Sequence, residues 1–380
     1  MGDVFITKTS IYLPNEAVQN QDMEKYLGQI KGKSSKSKEI VLRNNGIQQR
    51  YYALDQDGNS THTNAELTAL AVRNLFTENP DNLKNIQSLS CGTTSPDQML
   101  PSHAVMVHGL LPETNHIEVT SNTGACCSGM HALKFAFLSV KSGEVSNAIA
   151  TGSERMSVSL RSESFIEEFK TLELLKSNPY IAFEKDFLRW MLSDGAGAFL
   201  LQDKPSENGI SFKIEWIELF SYANEKEVCM YMGADKSANG TFKTLYDFSP
   251  KEIMEQSVLS IKQDIKMLRS NIVALGFNGL KDILNRRGMT VDDIDYLLPH
   301  ISSYYFRDII FEVLQKNETP IPIEKWFTNL KNVGNVGAGS IYLMLHGLQK
   351  EKSLKKGDKI LLAVPESARF SYAFAMLTVC

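Results

Sequence analysis

Two adjacent cysteines, Cys126 and Cys127, lie in a segment whose pattern could support nucleophilic chemistry. Residues 116–121 read as a strand, small residues then turn the chain, and residues 130–141 read as an amphipathic helix. Cys127 falls at the turn, close to the expected helix N-terminus. Unpaired N–H groups and the positive end of the helix dipole there favour a thiolate over a thiol. Gly124, Ala125, Ser128 and Gly129 leave room for a substrate carbonyl to approach the sulfur. The expected arrangement is a strand–nucleophile–helix elbow, with Cys127 facing outward and Cys126 pointing into the sheet. A second reading makes both thiols small buried residues, as most free cysteines are. Zinc is disfavoured, because adjacent cysteines do not reproduce the usual ligand spacing and no His or Cys pair lies nearby.

Two further loops carry groups that could assist such a nucleophile. In residues 294–300 a short apolar run ends at Pro299, and His300 follows at once. Strand ends in an open α/β sheet are where ligands bind. The other six histidines read as surface or core residues. In residues 332–340, glycines flank Asn335 and leave little bulk around its side-chain amide. The glycine spacing fits neither a phosphate loop nor a dinucleotide fingerprint, so no nucleotide cofactor is expected.

These groups need a rigid frame. Apolar runs at residues 4–11, 88–92, 116–121, 147–152 and 197–202 read as strands, with helical patterns at 64–76 and 130–141 between them. The second half repeats the style, with strands at 211–220, 296–299, 359–365 and 371–379 and helices within 249–284 and over 340–350. This is α/β layering around a buried sheet. The polar stretch 203–209 suggests a boundary between halves 1–205 and 206–380, and residues 157–190 read as a helical insertion over a pocket mouth.

Composition narrows the function class. The 380 residues are 43% hydrophobic and 22% charged, with a formal net charge of −4. That balance gives no general attraction to nucleic acid or to anionic membranes. No run of about 18 apolar residues is present to span a bilayer. Five cysteines, two of them adjacent, do not form a disulfide framework, and a reduced cytoplasm is the expected setting. Lys31, Lys33, Lys36 and Lys38 form a basic cluster, read as a solvated loop or as a docking patch for an acidic carrier protein.

Taken together, these segments resemble the β-ketoacyl-acyl-carrier-protein synthase III family of thiolase-fold condensing enzymes. The resemblance is carried by Gly46-Ile47 with Arg50, Thr93-Thr94-Ser95, Pro101-Ser102, the run from Ala125 to Gly129, the run from Asp194 to Ala198, Leu298-Pro299-His300 and Gly334-Asn335. It implies two similar βαβαβαββ halves, a five-layered αβαβα core and a homodimer. It also implies that Cys127 carries an acyl group while His300 and Asn335 stabilise an enolate. The Cys127 N–H and the backbone near Ala368 would hold the oxyanion. Glu366, Ser367 and Leu100 become pocket candidates. Acyl carrier protein and acyl-CoA or acyl-carrier thioesters become the expected partners, with no metal.

The sequence departs from the family's fatty-acid starters in several places. Ile40 and Asn44 stand near the positions of the tryptophan and arginine that grip coenzyme A, and residues 365–370 replace a glycine-rich loop. These differences resemble a secondary-metabolite branch that condenses and cyclises two acyl thioesters into dialkyl-cyclohexanedione or dialkylresorcinol precursors. Glu366 would then serve as a base, or else form an ion pair with Arg369. A housekeeping starter enzyme is the alternative within the family. A Cys-His-Asn hydrolase is the alternative outside it, although Cys127 and His300 are farther apart than the roughly 130 to 150 residues of papain-like enzymes.

Overall fold

The computed structural model describes residues 2–29, 32, 38–165, 188–237 and 239–380. Its long strands are β1 (Phe5–Tyr12), β2 (Ser88–Thr93), β3 (Glu118–Thr123), β4 (Asn147–Glu154), β5 (Gly195–Gln202), β6 (Phe212–Ser221), β7 (Tyr296–Pro299), β8 (Lys359–Glu366) and β9 (Ser371–Val379). Its main helices are α1 (Asn64–Asn74), α2 (His103–Gly109), α3 (Ser128–Ser142), α4 (Ile265–Arg286), α5 (Tyr304–Lys316) and α6 (Ser340–Glu351). The strands join in the order β7-β8-β9-β6-β1-β5-β4-β2-β3. β2 runs parallel to both β3 and β4, whereas β1 runs antiparallel to β5.

The two halves meet at a short seam, where Phe5 pairs with Lys213 and Ile6 with Phe212. In the first half the spatial order from the outer edge is β3, β2, β4, β5, β1. The second half follows the same order, its outermost strand reduced to a bridge between Leu297 and Trp326 beside β7. Residues 203–211 link β5 to β6.

Three apolar cores explain the layering. One packs α1 and α2 on the first-half strands through residues such as Leu67, Val72 and Val107. A central core sandwiches α3 and α6 between the two groups of strands, through Met130, Leu133, Ile341 and Leu345. The third places α4 and α5 on the second-half strands, through Leu268, Ile272, Phe306 and Phe374. The result is the thiolase-like arrangement of five alternating layers. Because α6 has apolar layers on both sides, nearly every residue from Ser340 to Leu345 is buried, and its sequence reads as a continuous apolar run.

The expected insertion is only partly described. Ser157–Leu160 and Ser162–Phe165 form short 3-10 turns, not an α-helix, and residues 166–187 lie outside the described residues. The mostly helical reading of 249–284 holds, with one interruption. It breaks into a short helix, Pro250–Glu255, a two-residue strand, Lys262–Gln263, and then α4. Asp264 caps α4 by accepting from the Met267 N–H at 2.8 Å, which fixes where that helix begins.

Candidate active site

Strand ends and loops from both halves converge on one elongated pocket with a cavity volume of about 160 Å³. His300 follows β7, and its own N–H extends the ladder by donating to the Ala363 carbonyl at 2.8 Å. Neither ring nitrogen of His300 has a hydrogen-bond partner among the described residues, so the imidazole is available to a ligand. Burial pushes its pKa down to about 4, leaving it neutral near pH 7 with one donor and one acceptor.

Asn335 is held by its backbone. Its N–H donates to the Met191 carbonyl at 3.1 Å, and its carbonyl accepts from the Ser193 N–H at 2.9 Å. The Asn335 side-chain oxygen accepts from the Gly337 N–H at 2.9 Å. This fixes the amide orientation and leaves its NH₂ group without a hydrogen-bond partner among the described residues. Gly334 makes the preceding turn at φ +73°, where a Cβ would also lie 2.7 Å from the Ser193 Cβ.

The cysteine turn differs from expectation. Cys126 lines the pocket with His300 and Asn335, whereas Cys127 does not. Cys127 is 1% exposed, belongs to the central core, and its thiol donates to the Val364 carbonyl at 3.3 Å. Cys126 is the more exposed of the two thiols, opposite to the expected facing. The alternation of β3 does not continue through the turn, because Cys127 already has near-helical geometry, φ −72° and ψ −14°, at the N-cap of α3. The expected preference for thiolate is overturned as well. Burial, and after it the Glu366 and Glu154 carboxylates, hold the Cys126 thiol pKa well above its ordinary value. For Cys127, burial and Glu366 act in the same direction.

Glu366 lies against the cysteine turn and makes no ion pair with Arg369. Its Oε2 accepts from the Cys127 N–H at 3.0 Å and the Ala125 N–H at 3.2 Å. Arg369 donates instead to the Lys226 carbonyl at 2.8 Å. The Cys127 N–H thus donates to a carboxylate in this structure. Burial raises the Glu366 pKa, partly offset by those two N–H donors.

Ser367 lines the pocket and accepts from Gln263 Nε2 at 2.8 Å. Ala368 anchors its loop by accepting from the N–H groups of Cys229 and Met230, at 2.8 and 3.2 Å. Leu100 lies outside the pocket of its own chain and is 85% exposed. Lys38 is not a free cation: it pairs with Glu24 at 3.0 Å and sits over the Trp190 ring. Lys31, Lys33 and Lys36 lie outside the described residues. No group of three or more metal-ligating side chains occurs among the described residues.

Known proteins match the chain along its length. Residues 284–374 match the model described as 3-oxoacyl-[acyl-carrier-protein] synthase III C terminal, and residues 116–206 match the beta-ketoacyl synthase N-terminal domain. The beta-ketoacyl-[acyl-carrier-protein] synthase III of Clostridium perfringens is 26% identical over 352 residues, covering 93% of this chain and 92% of that protein. The chain belongs to the 3-oxoacyl-acyl-carrier-protein synthase III-like family. It is an acyl-transferring condensing enzyme, and the hydrolase alternative falls. A tetronic acid condensing enzyme shares the fold at a TM-score of 0.74 and 19% identity, covering 99% of both chains. Xanthomonas campestris OleA with bound lauric acid and lauroyl-CoA superimposes equally well, at a TM-score of 0.74 and 17% identity over 99% of each chain.

Sequence reasoning missed Glu154, the last residue of β4, which lines the pocket while 1% exposed. It accepts from the Thr94 and Ser95 hydroxyls at 2.6 and 2.7 Å and from the Ala338 N–H at 3.1 Å. It thereby ties β4 to the loop that presents Asn335. An acidic residue ending a buried apolar strand was the available signal, because a carboxylate there must find several donors.

Proposed function

We propose that this enzyme is a ketosynthase that loads an acyl group onto Cys126 and condenses it with a malonyl or β-ketoacyl thioester on acyl carrier protein. The reading extends to secondary lipid or polyketide synthesis, with condensation and cyclisation toward dialkyl-cyclohexanedione or dialkylresorcinol precursors. The observation that carries it is the convergence of Cys126, His300 and Asn335 at the polar end of one long apolar pocket. Such a pocket suits a thioester head with an alkyl tail.

The Cys126 thiol is protonated at rest, so acyl transfer needs a proton acceptor. Neutral His300 lines the same pocket and has a lone pair to offer. The sulfur attacks the thioester carbonyl, and the donor thiol leaves. The N–H groups of Cys126 and Ala368 are our candidates for the oxyanion, since neither donates to another residue among the described residues. After decarboxylation of a malonyl group, His300 and the Asn335 NH₂ donate to the enolate oxygen, and its carbon attacks the Cys126 ester.

We take the working unit to be a homodimer. β3 is an edge strand with one side unpaired by its own chain, and Met99 and Leu100 project nearby at 64% and 85% exposure. Long unpaired edges are ordinarily covered. A housekeeping starter role is the second reading, favoured by curated relatives such as the Clostridium perfringens synthase III.

Product identification separates the two readings. An acyl-CoA supplied with a β-ketoacyl carrier thioester is expected to give a cyclised dialkyl product. Efficient formation of acetoacetyl-carrier from acetyl-CoA and malonyl-carrier alone would overturn the secondary-metabolite reading. The enolate step has its own signature. Because His300 ionises at about pH 4, malonyl-carrier decarboxylation should stay flat from about pH 5.5 to 7.5. A fall centred on the ordinary histidine pKa of about 6.5 would contradict this role. Asn335→Ala should slow decarboxylation by roughly 100- to 1,000-fold.

A further inference from the structure

Glu366 reaches the cysteine turn from the other half of the molecule. It ends β8 and pairs with Ser371 of β9, so its backbone is fixed by the sheet. The hairpin loop beyond it is pinned as well, because the Ala368 carbonyl accepts two N–H groups and Phe370 is fully buried. From this support Oε2 alone accepts from the Ala125 and Cys127 N–H groups, at 3.2 and 3.0 Å. Those two residues flank Cys126. Between the two donors lie only the backbone dihedrals of Ala125 and Cys126, so bonds to one oxygen restrain both pairs. Successive N–H groups turned toward one point form a nest for an anion, and here the protein fills it with its own carboxylate. No other donor reaches Glu366 among the described residues. Burying a carboxylate without a paired cation is costly, and the turn is what compensates it.

We infer that Glu366 is the positioning residue of the cysteine turn. Its one oxygen clamps the N–H groups on either side of Cys126, which turns that thiol toward the pocket and leaves the Cys126 N–H open to a substrate oxyanion. The inference rests on the proposed acyl transfer to Cys126 and names the group that aims its sulfur. Glu366 does not line the pocket, so it acts through the turn and not on the substrate. The charge of the clamp has a second effect. Burial first, then Glu366, then Glu154 from β4 oppose ionisation of the Cys126 thiol, which therefore rests protonated and slow to alkylate. Burial disfavours the ionised Glu366, whereas the two N–H donors and then His131 on α3 favour it. Cys127 and, from β9, Tyr372 are the other titratable groups at the turn.

Two substitutions separate reach from charge. Glu366→Gln keeps an acceptor oxygen at the same length without the charge, and Glu366→Asp keeps the charge one methylene short of the N–H groups. Loading of Cys126 from butyryl-CoA, read by intact mass in a single turnover, should fall about 100-fold in Glu366→Asp and by less than about tenfold in Glu366→Gln. Alkylation of Cys126 by iodoacetamide at about pH 7.5, located by peptide mass, should show the reverse order. It should run roughly tenfold faster in Glu366→Gln, since one unit of thiol pKa is tenfold in thiolate, and within about threefold of the parent rate in Glu366→Asp. If Glu366→Asp does not fold, as judged by melting, Glu366→Ala replaces it and should combine slow loading with fast alkylation.

Alkylation requires no acyl transfer, so the clamp and the acyl-transfer reading fail separately. Loading of Glu366→Asp at the parent rate, or alkylation no faster in Glu366→Gln than in the parent protein, overturns the clamp even if Cys126 is acylated. A parent protein that takes no acyl group on Cys126, yet shows fast alkylation in Glu366→Gln and slow alkylation in Glu366→Asp, supports the clamp and removes the acyl-transfer reading.

Discussion

Cys126→Ala should abolish covalent loading from acyl thioesters, whereas Cys127→Ala should retain it. Removing a covalent nucleophile costs on the order of a million-fold in rate, so the first variant should show no acyl adduct by intact mass. Cys127 contributes differently. Its thiol is packed among central-core residues and donates one weak hydrogen bond to Val364, so truncation to alanine should lower stability by about 1 kcal/mol. Its N–H, which Glu366 accepts, is a backbone group that the substitution keeps. Adduct formation should therefore continue within about tenfold of the parent protein. The opposite result, with adduct surviving in Cys126→Ala and lost in Cys127→Ala, would return the nucleophile to the position expected from sequence. The experiment is decisive because the two thiols share a turn but face different environments.

That reversal shows where sequence reading stops. The elements around the site were legible because their patterns report burial: residues 296–299 are apolar and form β7, and His300 follows at its end. Asn335 was legible because the surrounding glycines allow a tight loop. The family resemblance joined these positions, since several motifs in one order are more specific than any single one. The facing of two consecutive cysteines was not legible. Strand alternation assigns faces only while the backbone remains extended, and here the chain turns over residues 124–127 before α3 starts. A change in one pair of dihedrals exchanges the two side chains.

Glu154 escaped for another reason. Its partners Thr94, Ser95 and Ala338 are distant in sequence, so an acidic residue ending an apolar strand signals a need for donors without showing which they are. The space between α4 and α5 escaped because periodicity identifies which helix faces are apolar but not how far apart they stand. The stripe that reads as core from sequence is partly the wall of a void.

Gly152→Ala should damage one half-reaction strongly, although Gly152 is not a pocket residue. A Cβ on Gly152 would lie 2.2 Å from the Ala338 carbonyl oxygen and 2.8 Å from both its carbon and the Tyr342 ring. The obstacle is mainly backbone, which cannot swing aside as a flexible side chain could. Gly129 on α3 has the same relation to that carbonyl, with a Cβ position also 2.2 Å away. Two glycines from different elements therefore accommodate one residue of the loop that begins at Asn335. The Glu154 carboxylate holds the same residue from its N–H side. Adding a methyl at Gly152 must move the loop, and overpacking of this kind typically costs about 1 to 3 kcal/mol. Displacement by about 1 Å of a group that positions an enolate can lower rate by about 100-fold. The expected result is a folded protein with a lowered melting temperature, retained loading of Cys126, and malonyl-carrier decarboxylation reduced at least 100-fold. Gly109→Ala is the matched control, because a Cβ there meets nothing within 4 Å. If Gly152→Ala kept full decarboxylation, the loop would be free to yield without moving Asn335, and the Glu154–Ala338 contact would lose its positioning role. If loading and decarboxylation fell together, the damage would extend to the cysteine turn, which touches the same carbonyl through Gly129. Separate measurement of the two half-reactions thus reads out which side of the Ala338 contact is the stiffer.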